Sequence, residues 1–254
     1  MDDSGNVLSY DGSSWSSPKS VDRNEGGLDS VSCATASSCA AVDFQGYAFT
    51  YSRPATSKTA LNPSAANVTY GHEQVEHLSV TVSPEFAGST PTGTVTVKES
   101  TTTLCVITLS ASKGSCTLSA RKLQVGTYSL VATYGGSADF SGSTSAKETL
   151  TIAKATSKTA LTLSAAELAY GDEGVEHLSV AVSPQYSGST PAGTVTVKES
   201  ATTLCLVTLS AAKGSCTLSA KKLQVGTYSL VATYGGSADF AGSTSAKEAL
   251  TVVK

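Results

Sequence analysis

The residues able to do chemistry in this chain come in pairs. Six cysteines form three close couples, Cys33/Cys39, Cys105/Cys116 and Cys205/Cys216. Such couples suit two chemistries, oxidation to disulfides or thiolate coordination of a metal. Local disulfides are the expectation, because the second and third couples recur at the same offset in two copies of one repeat. Metal coordination stays open as the alternative, although neither repeat couple has a second pair or a nearby histidine to complete four ligands.

Histidines and carboxylates offer less. His72 has Asp172 as its counterpart in the second copy, so a mechanism common to both copies cannot use it. His77 and His177 directly follow Glu76 and Glu176. Neighbours on a strand point to opposite faces, which rules out a His–Glu dyad and predicts partly exposed strand histidines. The carboxylates Glu73, Glu76, Glu99, Asp139 and Glu148 have twins in Glu173, Glu176, Glu199, Asp239 and Glu248. None forms an Asp-x-Asp calcium ladder; Asp172 and Glu173 with Asp239 are the one cluster worth testing for calcium. The serines lack a Gly-x-Ser-x-Gly nucleophile elbow. A Lys–Asn cross-link could start from Lys58 or Lys158, but the last strands, 147–152 and 247–252, contain no Asn or Asp. The expectation is a chain with no catalytic residue, no cofactor and no metal.

Composition narrows the partners. A net charge of −3 provides no basic field for nucleic acid. No apolar run approaches the ~20 residues of a membrane span. The start, Met1-Asp2-Asp3-Ser4-Gly5, has neither the basic nor the apolar region of a signal peptide. The cysteine usage nonetheless points to an oxidising compartment. Together these predict an extracellular or cell-surface protein, monomeric, whose export signal and true N-terminus lie outside this sequence.

The elements that carry these residues are legible because the chain repeats itself. Residues 55–154 and 155–254 align without a gap and are identical at 79 of 100 positions. Such a period means two copies of one domain. Alternating runs predict strands at 75–82, with Leu78, Val80 and Val82 inward, at 93–98, with Val95 and Val97 inward, and at 128–134. Further strands fit 56–61, 103–109, 115–119 and 147–152, with Lys113-Gly114 as a turn between two of them. Seven strands in about 100 residues suit an immunoglobulin-like sandwich, and the fold class is all-β. Leu123-x-x-Gly126-x-Tyr128, with its twin ending at Tyr228, has the form of a tyrosine corner.

The unit resembles the bacterial Ig-like repeat domains of secreted and surface proteins. The matching residues are Tyr70-Gly71, Val80-Thr81-Val82-Ser83-Pro84, Pro91-Thr92-Gly93-Thr94-Val95-Thr96-Val97, Gly126-Thr127-Tyr128, Ala132-Thr133-Tyr134-Gly135-Gly136 and Asp139-Phe140-Ser141-Gly142-Ser143-Thr144. The resemblance implies a β-sandwich with a spacer (stalk) or adhesive role and no catalytic residues. It also gives the loop aromatics a place. In such a sandwich Phe86 and Phe140, and their twins Tyr186 and Phe240, share the end that faces the preceding domain. They are candidates for contact between domains or for a ligand such as a glycan or a surface protein.

The first 53 residues carry a shorter repeat. Asp2-Asp3-Ser4-Gly5-Asn6-Val7-Leu8-Ser9-Tyr10 matches Asp43-Phe44-Gln45-Gly46-Tyr47-Ala48-Phe49-Thr50-Tyr51 at a period of about 41. With Ser32-Cys33, Cys39-Ala40-Ala41-Val42-Asp43 and Ser13-Ser14-Trp15-Ser16-Ser17-Pro18, the stretch resembles a cysteine-containing, actinobacterial-type β-propeller repeat. One blade cannot close a propeller, so a β-meander fragment is expected. The domains expected are therefore 1–53, 54–154 and 155–254.

Overall fold

The computed structural model describes residues 5–8, 16–21, 27–35, 38–52, 54–85 and 90–254. The chain divides into two compact units. The first is Met1–Asn62, Ser79–Ser115 and Val131–Ala146. The second is Pro63–Leu78, Cys116–Leu130 and Lys147–Lys254, and so holds one end of the first copy together with the whole of the second copy.

Each copy is a pair of sheets. In the second copy the smaller sheet runs in the order Ser157–Leu163, His177–Pro184, Lys213–Thr217. The larger runs Glu167–Ala169, Glu248–Val253, Gly226–Tyr234, Thr194–Glu199, Thr202–Thr208, with Ser243–Thr244 attached to Gly226–Tyr234. The first copy has the same strand order. Among the described strands pairing is antiparallel except where Glu167–Ala169 lies parallel to Thr251–Val253, and Asn67–Thr69 to Thr151–Ala153; Ala55 with Phe140 and Ala155 with Phe240 add single parallel bridges.

Alternation builds these sheets. Leu178, Val180 and Val182, Val195 and Val197, Leu230, Ala232 and Tyr234, and Leu250 and Val252 are all buried, while the residues between them are not. Successive side chains on a strand face opposite ways, so each strand gives one apolar row to the space between the sheets. Burying one such Val or Leu stabilises by about 1.5–3 kcal/mol. The core is thus largely aliphatic, and Tyr134 and Tyr234 are its most deeply buried aromatic side chains, beside Tyr70, Phe140 and Phe240. The Tyr134 and Tyr234 hydroxyls donate to the carbonyls of Thr92 (2.7 Å) and Ala192 (2.8 Å). The tyrosine corners form as well: Tyr128 and Tyr228 each donate to a carbonyl four residues upstream, Gln124 and Gln224, at 2.8 Å.

Two expectations are corrected. The strand predicted from Val75 begins at His77, because Glu73–Val75 and Glu173–Val175 form single 3-10 turns. The turn predicted at Lys113-Gly114 lies two residues earlier. Ser110 and Lys113 exchange backbone hydrogen bonds, and Ala111 and Ser112 both have positive φ, 47° and 66°. The same holds at Ala211 and Ala212, with 48° and 62°. Two left-handed residues make the type I′ geometry that suits a two-residue hairpin. Gly114 and Gly214 are instead strand residues chosen for close approach. A Cβ on Gly214 would collide with Val207 Cγ1 and lie 2.9 Å from the Thr208 carbonyl oxygen.

The leader contributes a separate, smaller sheet. Leu28–Thr35, Ser38–Asp43 and Ala48–Ser52 form an antiparallel meander, and Asn6–Val7 pairs with Lys19–Ser20. Asp43 Oδ1 closes the turn before Ala48 by accepting from the amides of Gln45 (2.9 Å) and Tyr47 (2.7 Å). Trp15 lies outside the described residues.

The hairpin geometry carries a prediction. Ala is strained at positive φ, whereas Asn-Gly is the preferred type I′ pair. Replacing Ala211→Asn with Ala212→Gly is expected to stabilise the chain by about 1 kcal/mol. Chemical denaturation would show this as a higher midpoint at unchanged slope.

Candidate functional site

The thiols are all consumed. Cys33 is bonded to Cys39 and Cys205 to Cys216; Cys105 and Cys116 are also disulfide-bonded, and no cysteine is free. This resolves the choice between oxidation and metal ligation. The placement of Cys205–Cys216 matters more than its length. Cys205 lies on the outer strand of the larger sheet and Cys216 on the outer strand of the smaller one. The bond therefore ties the two layers together where both have an open edge.

Four of the carboxyl groups named from the sequence as scattered are fully buried, which the sequence did not foretell. Glu73, Glu76, Glu173 and Glu176 all have 0% exposure. A carboxyl group withdrawn from water needs hydrogen-bond donors, and here the backbone supplies them. Glu176 accepts from the Ser164 amide and hydroxyl, both at 2.8 Å, and from the Ala165 amide at 3.0 Å. Glu76 does the same with Ser64 and Ala65. Each thus pins the turn that follows the first strand. Glu173 Oε2 accepts from the amides of Gly171 (3.1 Å) and Lys221 (2.7 Å), and Glu73 Oε2 from that of Arg121 (2.7 Å). These bonds hold Arg121 and Lys221 at φ of 60° and 58°. Oε1 of Glu73 and of Glu173 has no hydrogen-bond partner. One signal could have found this set. The Glu-x-x-Glu spacing is identical in both copies, while the neighbours at 72 and 74 change to Asp172 and Gly174.

The remaining candidates scatter. His77 and His177 are exposed. Asp172 is exposed and Glu173 buried beneath its own loop, and among the described residues no three His, Cys, Asp or Glu side chains gather to hold a metal. Asp172, Glu173 and Asp239 are therefore not brought together as a calcium cluster.

The loop aromatics divide. Phe86 falls outside the described residues. Phe140 and Phe240 are buried at 3% exposure each, because the chain folds back over the ring. At the fold-back, Gly236 takes φ +89° so close to the Phe240 carbonyl oxygen that a Cβ would lie 2.9 Å from it. Tyr186 meets the end of the first copy that belongs to the same compact unit. Its ring stacks on His72, with centroids 4.3 Å apart and planes inclined by 14°. Tyr70 stands edge-on to Phe240 at 6.4 Å. Arg121 Nη1 donates to the Ser187 carbonyl at 3.1 Å, and Lys154 Nζ to the Ser237 carbonyl at 2.5 Å. The contacts here are thus one aromatic stack, one edge-on aromatic pair and two cations donating to backbone carbonyls.

Comparison with known proteins agrees with the sandwich. The bacterial Ig-like domain (group 3) family matches residues 61–153 and 161–253. No curated protein matches. Among solved structures, a tetra-tandem repeat from the extending region of a large adhesion protein is 15% identical, with 84% of this chain and 55% of that one covered and a TM-score of 0.42. The Yersinia pseudotuberculosis adhesin InvE is 16% identical over 77% of this chain and 59% of that one, with a TM-score of 0.40. Fibronectin(III)-like modules of Clostridium thermocellum CbhA are 16% identical over 76% and 92%, at a TM-score of 0.29. The chain thus spans little more than half of either adhesion protein. The family match begins at residue 61, and the likeness of residues 1–53 to a propeller repeat finds no support in these comparisons.

Two stability predictions follow from this chemistry. Glu176→Gln turns one acceptor into a donor that faces backbone N–H groups. It is expected to cost about 2–3 kcal/mol, read as a lower denaturation midpoint. Replacing Cys205 and Cys216 together by serine frees a short loop in the unfolded chain and is expected to cost a similar amount, about 2–3 kcal/mol. Calorimetry of the two variants against the parent would check both.

Proposed function

We propose, because the chain belongs to the bacterial Ig-like domain (group 3) family, that it is a non-catalytic spacer module of a secreted or cell-surface bacterial protein. One observation carries this reading. Among the described residues, most side chains that could have formed a site are engaged in holding the fold, and the exposed His77, His177 and Asp172 do not gather into a cluster. The buried carboxyls brace turns, the cysteines are oxidised, Phe140 and Phe240 are core residues, and Tyr186 is covered by His72. Three disulfides support an oxidising, extracellular location. No helix among the described residues is long and apolar enough to cross a membrane. On this reading the modules are 1–53, 54–154 and 155–254, and the chain is monomeric.

The competing reading is adhesion, with the loop aromatics binding a glycan or a surface protein. It requires an aromatic platform open to solvent, which the stack on Tyr186 does not offer. The purified, oxidised chain applied to a glycan array and to immobilised bacterial and host surface proteins separates the two. The spacer reading expects no retention above that of a denatured control. Saturable retention that Tyr186→Ala abolishes would establish the adhesive reading in its place.

A further inference from the structure

The contact around Tyr186 is built from residues by which the two copies differ. The copies differ at 21 of 100 aligned positions, and four of those supply its side chains: His72, Arg121, Gln185 and Tyr186. Their counterparts are Asp172, Lys221, Glu85 and Phe86.

The four act as one relay. The amide and hydroxyl of Thr156, in the link between copies, donate to Gln185 Oε1 at 3.1 and 3.0 Å. Gln185 Nε2 donates to the Tyr186 hydroxyl at 3.0 Å. This fixes the ring that stacks on His72, beside Gly71, where a Cβ would lie 3.7 Å from Tyr186 Cβ. Arg121 closes the far side on the Ser187 carbonyl.

Each counterpart residue would break one step. Glu85 has no N–H to donate and instead accepts from the Thr56 hydroxyl. Phe has no hydroxyl to receive the bond. Asp has no ring to stack. Lys is a single flexible point charge where Arg presents a rigid planar fork.

We propose that this contact is a keyed joint. The end of a copy that carries His at position 72 and Arg at position 121 accepts the tip of a copy that carries Gln-Tyr at 185–186, and not a tip of the Glu-Phe kind. The key selects which kind of tip the end carrying His72 and Arg121 holds. The joint is independent of whether the chain spaces or adheres, since it is a contact of the chain with itself.

Residual dipolar couplings on the full, oxidised chain test this. A single alignment tensor is expected to describe the amides of both copies. Two variants exchange the key while using only residues that the other copy already tolerates at the equivalent position: His72→Asp, and Gln185→Glu with Tyr186→Phe. Each is expected to lose the common tensor, while the couplings within each copy still fit that copy's own fold. His72→Phe keeps a ring to stack and is expected to keep the common tensor. Two tensors in the parent chain, or a common tensor that survives both exchanges, would overturn the proposal. Glycan or surface retention plays no part in the readout, so failure here leaves the spacer reading untouched.

Discussion

The constraint on which each sandwich depends is the disposal of buried carboxyl groups. Two glutamates per copy lie entirely out of water, and backbone N–H groups answer them. In the second copy these are the amides of Ser164 and Ala165, some dozen residues upstream, for Glu176, and of the distant Lys221 with Gly171 of the adjacent turn for Glu173. An aliphatic core is non-directional and would tolerate several loop arrangements. A carboxyl with fixed donors does not. The glutamates therefore convert a generic pair of sheets into one with defined loops, and those loops carry Tyr70, His72 and Arg121 to the joint.

Most of the fold was legible because it rests on period-two alternation, which sequence displays directly. The rows of Leu178, Val180 and Val182 and of Val195 and Val197 needed only counting. What escaped had ambiguous local signals. Gly114 reads as a turn residue, since glycine supplies positive φ; its actual reason is the nearness of Ile107 and Thr108, which no local pattern reveals. Ala111 and Ser112 hold the turn against their own preference. The short parallel strands Asn67–Thr69 and Glu167–Ala169 have too few residues to show a period. Buried glutamates are invisible by default, because charged residues are expected outside.

The loop aromatics show the same limit from another side. Phe140 and Tyr186 both sit in loops, and sequence treats them alike. The structure separates them: the Phe140 ring is tucked beneath its own fold-back, whereas Tyr186 is held outward by Gln185. What distinguishes them is a hydrogen bond from the preceding side chain and a glycine that lets the backbone turn over the ring. Both are relations among residues rather than properties of any one.

The parallel pairing of Asn67–Thr69 with the last strand of its copy has a mechanical meaning. The first of these strands is reached from the N-terminal side and the second leaves toward the C-terminal side, yet they run in the same direction. Tension along the chain therefore drags them in opposite senses along one shared axis. The bonds from Thr151 to Ala66 and from Tyr70 to Ala153 are sheared together instead of opening one after another. The second copy repeats the arrangement with Thr251 to Ala166 and Tyr170 to Val253. A strand of three residues, the least conspicuous in the fold, thus places its hydrogen bonds to the last strand of its copy in shear when the chain is pulled.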